Sequence, residues 1–425
     1  MTSLVAAIRQ AASRLNPSSR RDRQLEAERR TSYRARLFLG LAATLSLSAC
    51  AAEDGSFRHM AGPAPVVSEG EDVELQSLLT NRFAEIADRE DIPAMSIGVV
   101  RGGRKVAIVN LGYHDRSGAR PVDAQSIYQI ASLSKTLTGA LVNTMIADGA
   151  IDPQRSVASY LGDIVSDDAN WQLEAITVEN LLQHTAAIPE QACSLYRQRE
   201  EGEAWPHGYS RAELVADLNA IKIDRRRVGS FAYSSCGYAI LGLVAETAGG
   251  QDFASLLARH VTGPNAMRDT TIEPDDTQRM RLTTPYRKDD RSIATSTSVM
   301  GMATPGSAIY STLDDLMSFQ IAQLAAYRRP SDAARPSPLV LTDSLADVEG
   351  QPVKFGYGLI QLSHPKGTFY LHDGDADGFA AVYVFSPEHD VGLIILTTSG
   401  GRWLNDAAIE IMVEIIAPDG TPTGS

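Results

Sequence analysis

Cysteine is almost absent from this chain: Cys50, Cys193 and Cys236 are the only three in 425 residues. They are too few and too scattered for a disulfide-built scaffold or a zinc cluster. No HExxH run and no grouped His/Cys set is present, so no metal and no cofactor is implied. Lysine is scarce as well, six residues beside 33 arginines, and the basic residues are outnumbered by 52 acidic ones for a net charge of −13. A nucleic-acid binder would normally show a basic face, and this balance argues against one. No apolar run approaches the ~20 residues of a membrane span, which excludes a polytopic membrane protein. What is present is 44% hydrophobic and 21% charged residues, the composition of a folded soluble enzyme. The length suits two or three compact units, or one large α/β body with an inserted domain.

The first 36 residues are polar and basic, with Arg20, Arg21, Arg23, Arg29, Arg30, Arg34 and Arg36, and they run into the apolar stretch Leu37 to Leu47. A secretory signal has this order because the positive end stays inside while a short apolar helix enters the translocon. The junction Leu47-Ser48-Ala49-Cys50 resembles the lipobox of bacterial lipoproteins, in which the cysteine is lipidated and becomes the new N-terminus. Residues 1–49 are therefore expected to be a signal peptide and Cys50 a lipid anchor. The product would be exported and periplasm-facing, on the outer membrane if the cell has one and otherwise on the plasma membrane. Cleavage would leave 30 basic and 49 acidic residues, a strongly acidic mature body. Residues 50–74, rich in Ala, Gly and Pro, read as a tether.

From Leu75 to about Glu90 apolar residues recur at helical spacing (Leu78, Leu79, Phe83, Ile86), and the runs Met95–Val100 and Val106–Leu111 around Arg101-Gly102-Gly103-Arg104 read as a β-hairpin. Between Ser132 and about Ala326 the pattern is mostly helical. Strand character returns at Thr368–Leu371, Phe379–Phe385 and Val391–Thr397, before a last amphipathic helix over about Asp406–Ile416. Strands at both ends with helices between them imply an α/β (α+β) fold in which one sheet is assembled from the two ends of the chain, with a helical domain inserted between them. The sheet part is expected over about 75–131 and 345–416, the helical part over about 132–344, and a disordered tail over 417–425.

Three short segments carry candidate chemistry. Ser132-Leu133-Ser134-Lys135 opens a helix with Leu133, Leu137 and Leu141 on its inner face. Ser-x-x-Lys places a hydroxyl and an amine one turn apart, so a neutral amine can take the hydroxyl proton. Taken alone, Ser132 could equally be a helix N-cap. The second such pair, Ser363-His364-Pro365-Lys366, has a proline between its ends and reads as a surface turn. The other two segments are Tyr233-Ser234-Ser235, leading into an apolar helix, and His372-Asp373-Gly374-Asp375. Singly these read as a common loop and a turn.

Together, in this order, they resemble the serine β-lactamase and penicillin-binding-protein superfamily, closest to its class C-like branch of peptidases, esterases and β-lactamases. Ile176–Thr185, Tyr310–Leu316 and Phe355–Leu359 also look like recurring family stretches, so the resemblance spans about Leu75 to Ile416. It implies an antiparallel sheet flanked by helices beside an inserted all-helical domain, with the active site in the cleft between the two parts. Ser132 would become acylated, Lys135 and Tyr233 would share proton transfer, and His372 would bond the substrate or Tyr233. The backbone N–H groups of Ser132 and Asp375 would hold the oxyanion. Gln191, Ser235 and Gly374 would line the substrate site, whereas His184 would have a structural role. The resemblance also puts Cys193 and Cys236 on neighbouring walls of the cleft, where export would permit a disulfide.

Two positions depart from the β-lactamase pattern. Ser235 stands where those enzymes have Asn, and His372 where they have Lys. An imidazole is mostly neutral near pH 7, and a hydroxyl lacks the amide donor, so the grip on a β-lactam carboxylate is weakened. The sequence therefore favours a serine hydrolase acting on a small ester, amide or peptide-like substrate. The alternatives are a true class C-like β-lactamase, a D-amino-acid peptidase, a slowly deacylating sensor of β-lactams or peptidoglycan fragments, and an inactive envelope scaffold.

Overall fold

A computed structural model describes residues 72–197, 208–327, 345–348, 351–376, 378–401 and 403–417. The leader, Cys50, most of the tether and nearly all of the C-terminal tail lie outside these described residues.

Helix α1 (Val73–Glu90) begins two residues before the apolar spacing does, because Asp72 caps it: its carboxylate accepts the Leu75 N–H at 3.0 Å. Leu75, Leu79, Phe83 and Ile86 form its buried stripe. Strands β1 (Ala94–Arg101) and β2 (Arg104–Gly112) follow as a hairpin. Gly102 and Gly103 form the two-residue turn with φ of 60° and 74°, the left-handed values that such a turn demands.

The hairpin joins strands from the far end of the chain: β5 (Leu345–Val348), β6 (Gln351–Phe355), β7 (Ile360–His364), β8 (Gly367–Asp375), β9 (Ala380–Ser386) and β10 (Val391–Thr397). The resulting antiparallel sheet has eight strands in the order β2-β1-β10-β9-β8-β7-β6-β5. Both faces of its centre are covered. Leu393 and Ile395 join the core under α1 and the last helix, α6 (Trp403–Ile416), whereas Ile394 and Leu396 join the core of the helical part. That double burial is why β10 is an unbroken apolar run rather than an alternating one.

The helical part is built around α2 (Ser134–Ala147), the short α3 (Val178–Leu182) and α4 (Ser235–Gly249). Thr177 and Asn180 form a reciprocal capping box that starts α3. A second, two-stranded sheet pairs β3 (Ile127–Gln129) with β4 (Tyr310–Thr312) beneath the start of α2.

The structure corrects the sequence reading in two places. Helix α5 (Leu313–Tyr327), expected within the helical part, packs on the sheet: Gly98 of β1 leaves room for the Met317 sulfur, and Gln320 Nε2 donates to Val384 O at 3.2 Å. And His372-Asp373-Gly374-Asp375, read as a turn, continues β8 with His372 opposite Tyr383 and Asp375 opposite Ala380. Gly and Asp have low strand propensity, and pairing to the all-buried β9 overrides it.

Candidate active site

Ser132 lies in a 3₁₀ turn, Ala131–Leu133, that joins β3 to α2. The turn is pinned on both sides: Ile130 N–H donates to Ile309 O at 2.9 Å, and Ser134 Oγ donates to Ala131 O at 2.6 Å while accepting the Ile309 N–H at 3.0 Å. Ala131 is held at a φ of 48°, a conformation costly for a residue with a Cβ. Such strain persists only where the surroundings over-determine it. No side chain caps α2, so Ser132 is not acting as an N-cap.

Lys135, one turn on, is completely buried. Its Nζ has three partners: Ser132 Oγ at 3.2 Å, Ser235 Oγ at 3.1 Å and Gly306 O at 2.5 Å. Burial lowers its pKa to about 7, against the opposing pull of Glu190 and Asp373. A neutral amine has two N–H donors and one lone pair. Gly306 O can only accept, so the lone pair is left to accept from a hydroxyl such as Ser132.

The Tyr233 ring lies 4.8 Å from Lys135 Nζ, and its hydroxyl is near enough to Ser132 for the serine to offset part of the effect of burial on the phenol. Burial pushes the phenol pKa well above 10, so it stays protonated at neutral pH. His184 sets this segment in place. Its carbonyl accepts the Ala232 N–H at 2.7 Å, its Nδ1 accepts the Ser234 N–H at 3.1 Å, and its ring lies against Tyr233 and Tyr238 at 4.4 and 5.0 Å. Burial holds His184 neutral, which leaves Nδ1 free to accept. These contacts give His184 the structural part expected of it.

The third wall is the edge of β8. Strand β7 begins at Ile360, opposite Leu371, so residues 372–375 have a strand partner on the β9 side only. The bond from Ala376 N–H to Phe379 O, 3.0 Å, makes Asp375 and Ala380 a non-hydrogen-bonded pair. By the antiparallel alternation, the N–H and C=O groups of Asp373 and Asp375 point away from β9, along the open edge. Gly374 packs against the serine turn so closely that a Cβ would lie 2.2 Å from Ile130 O. His372 Nδ1 donates to Asp373 O at 2.6 Å, and burial, followed by the Lys135 charge, lowers its pKa to about 3. It is therefore a neutral imidazole with its proton on Nδ1 and a lone pair on Nε2.

Cys193 and Cys236 form a disulfide with their Cα atoms 5.6 Å apart, tying the turn Glu190–Ala192 to the first turn of α4. Gln191 is exposed on that turn, with its backbone carbonyl accepting from Arg197 at 2.6 Å. Its neighbour Glu190 reaches inward instead, and its Oε2 accepts the Ser235 N–H at 2.5 Å. Sequence reasoning missed Glu190 and the Gly306 carbonyl. An isolated acid in a loop gives no signal, and a backbone oxygen has no sequence signature. Among the described residues no group of three or more His, Cys, Asp or Glu is arranged to hold a metal, and no helix is long and apolar enough to cross a membrane.

A serine next to a strained residue, its hydroxyl meeting a buried amine of lowered pKa beside an open strand edge with outward N–H groups, is an arrangement for acyl transfer. The family model described as Beta-lactamase matches residues 79–414, and the chain belongs to that family, within the serine β-lactamase and penicillin-binding-protein superfamily. It is 24% identical over 345 residues to the D-alanyl-D-alanine-carboxypeptidase/endopeptidase AmpH of Escherichia coli (strain K12), covering 76% of this chain and 84% of that one. A Beta-lactamase of Providencia stuartii is 21% identical over 345 residues, 74% of this chain and 84% of the relative. Protein flp of Staphylococcus aureus (strain MW2) is 20% identical over 326 residues, 76% of this chain but only 63% of that protein's length.

Proposed function

We propose that the protein is a serine hydrolase that cleaves esters or amides through an acyl-enzyme on Ser132. The observation that carries this is the contact between Ser132 Oγ and a fully buried Lys135 amine whose pKa is near 7. Ser132 Oγ attacks the substrate carbonyl and its proton passes to the Lys135 lone pair. The oxyanion is held by the N–H groups of Ser132 and Asp375. As the tetrahedral species collapses, the leaving group takes a proton from the Tyr233 hydroxyl, which Lys135 replenishes. Water then attacks the acyl carbonyl, its proton following the same path in reverse, and Ser132 is released. Lys135 is the base, since a phenol with a pKa well above 10 is a proton relay at neutral pH and not a resting phenolate.

Neutral His372 offers no cation to a substrate carboxylate, and Ser235 is engaged with Lys135 and Glu190. Both features favour neutral esters and amides over penicillins. The relative named as a D-alanyl-D-alanine-carboxypeptidase/endopeptidase supports an amide among the natural substrates. A chromogenic ester tests the reading: steady turnover is expected, a burst that stalls means a sensor, and no burst means a scaffold.

We further propose that Cys50 carries a lipid that anchors the mature protein to the periplasmic side of a membrane, on the motif Leu47-Ser48-Ala49-Cys50 after a short apolar run. Mass spectrometry of the mature N-terminus should show acyl chains on Cys50. A Cys50→Ala form that still fractionates with membranes would refute the anchor.

A further inference from the structure

Lys135 acts as a base only while its lone pair faces Ser132, and its two N–H bonds set that aim: one goes to Gly306 O and the other to Ser235 Oγ at 3.1 Å. Ser235 is the first residue of α4, so the direction of its hydroxyl depends on what holds the start of that helix. Two groups hold it. Ser234 is the ordinary cap, its Oγ accepting the Gly237 N–H at 3.0 Å. Glu190 reaches in from a separate turn and accepts the N–H of Ser235 itself at 2.5 Å. Cys193 closes the Glu190 turn and Cys236 directly follows Ser235, so the disulfide clamps the two pieces together. The other titratable groups around this hydroxyl and amine do not balance a charge on Lys135. Burial keeps the phenols of Tyr196, Tyr233 and Tyr238 protonated and the imidazoles of His184 and His372 neutral. Asp373 lies on the opposite face of β8 from His372, where it accepts from Asn405 Nδ2 at 2.9 Å and burial raises its carboxyl. Glu190 is left, and among the described residues it forms no ion pair with a lysine or arginine.

We propose that Glu190 is a positioning residue for the base: it fixes Ser235 so that the Ser235 hydroxyl aims the Lys135 lone pair at Ser132, and its carboxylate balances the charge that Lys135 takes up with the serine proton. This rests on the hydrolase reading above. In that step the Ser132 O–H bond breaks as Oγ bonds the carbonyl carbon, the carbonyl π pair moves to oxygen, and the proton ends on Lys135 as an ammonium. A fixed carboxylate beside the new ammonium stabilises the transition state more than the resting amine.

The pH profile of p-nitrophenyl butyrate hydrolysis tests this, because kcat/KM rises with pH as Lys135 loses its proton and the acid limb therefore reports the base. Glu190→Gln keeps an acceptor for the Ser235 N–H and loses the charge: it should keep most of the plateau kcat while the limb moves to lower pH by about half a unit or more. Glu190→Ala loses both, and its plateau kcat should fall about tenfold or more with KM little changed. In a Ser235→Ala background the same change should cost little further, because the hydroxyl through which Glu190 acts is gone. The disulfide still joins the turn to α4 in each variant, and a merely structural cap would lower Tm while leaving the limb in place. Native kcat in Glu190→Ala, a limb unmoved in Glu190→Gln, or full additivity with Ser235→Ala overturns the proposal. If no ester is turned over, the hydrolase reading fails on its own account. Isotope-edited NMR of the side-chain nitrogens of the six lysines, with Lys135 assigned through Lys135→Met, then still decides: a Lys135 midpoint lowered by Glu190→Gln supports the pairing, and an unmoved one overturns it.

Discussion

Replacing Lys135 with Met should make the protein more stable and nearly inactive, with a pH signature that no packing effect reproduces. The amine is fully buried, and its pKa falls from the ordinary 10.5 to about 7. At about 1.36 kcal/mol per pH unit, holding the protonated form inside costs the fold about 5 kcal/mol. The unfolded chain binds this proton more tightly between pH 7 and 10.5, so the cost is complete below pH 7 and fades as pH rises toward 10.5. Methionine fills a similar volume and does not titrate. It forfeits the bonds to Ser132, Ser235 and Gly306, each worth about 1 kcal/mol, at every pH. The variant should therefore be more stable by roughly 1–2 kcal/mol at pH 6, and that advantage should shrink by about 3 kcal/mol on going to pH 9, reversing sign. Urea titrations of both proteins at the two pH values measure the difference directly. In parallel, the rate of ester cleavage should fall by about 10²–10⁴, the usual worth of a general base. A stability difference that does not change with pH would refute a lowered Lys135 pKa, and with it the assignment of Lys135 as base.

Three further outcomes follow from the geometry. Replacing Cys193 and Cys236 together by Ser opens a loop of 43 residues, and loop-closure entropy gives a loss of about 4 kcal/mol; an unchanged Tm in the variant would contradict a disulfide in the native protein. Gly374→Ala puts a Cβ 2.2 Å from Ile130 O, so the serine turn must shift and kcat should drop by at least about tenfold; full activity would show that β8 does not press on the turn. His372→Lys introduces the cation that the neutral imidazole lacks and should raise kcat/KM for a cephalosporin relative to p-nitrophenyl butyrate, whereas an unchanged ratio would remove charge at this position as the reason for weak β-lactam handling.

Much of this architecture is legible in the residues themselves. The stripe Leu79, Phe83, Ile86 marks α1, Gly102-Gly103 marks the hairpin turn, and the run Val391–Thr397 marks a strand buried on both faces. Ser132, Lys135 and Tyr233 stand out because a functional spacing recurs in order along the chain. The remainder depends on contacts between residues far apart in sequence. Gly306 meets Lys135 across 171 residues, and Glu190 meets Ser235 across 45. Neither partner carries a local pattern that foretells the meeting. The strand character of His372–Asp375 is imposed by β9, and the allegiance of α5 by the notch at Gly98, so neither could be read from propensity.

The central claim is that Ser132 is the acylated nucleophile, and intact-protein mass spectrometry after incubation with a fluorophosphonate tests it most directly. A single adduct is expected, mapping to the peptide that contains Ser132, absent from Ser132→Ala and formed much more slowly in Lys135→Met. An adduct that persists in Ser132→Ala, or that maps to another residue, would contradict it.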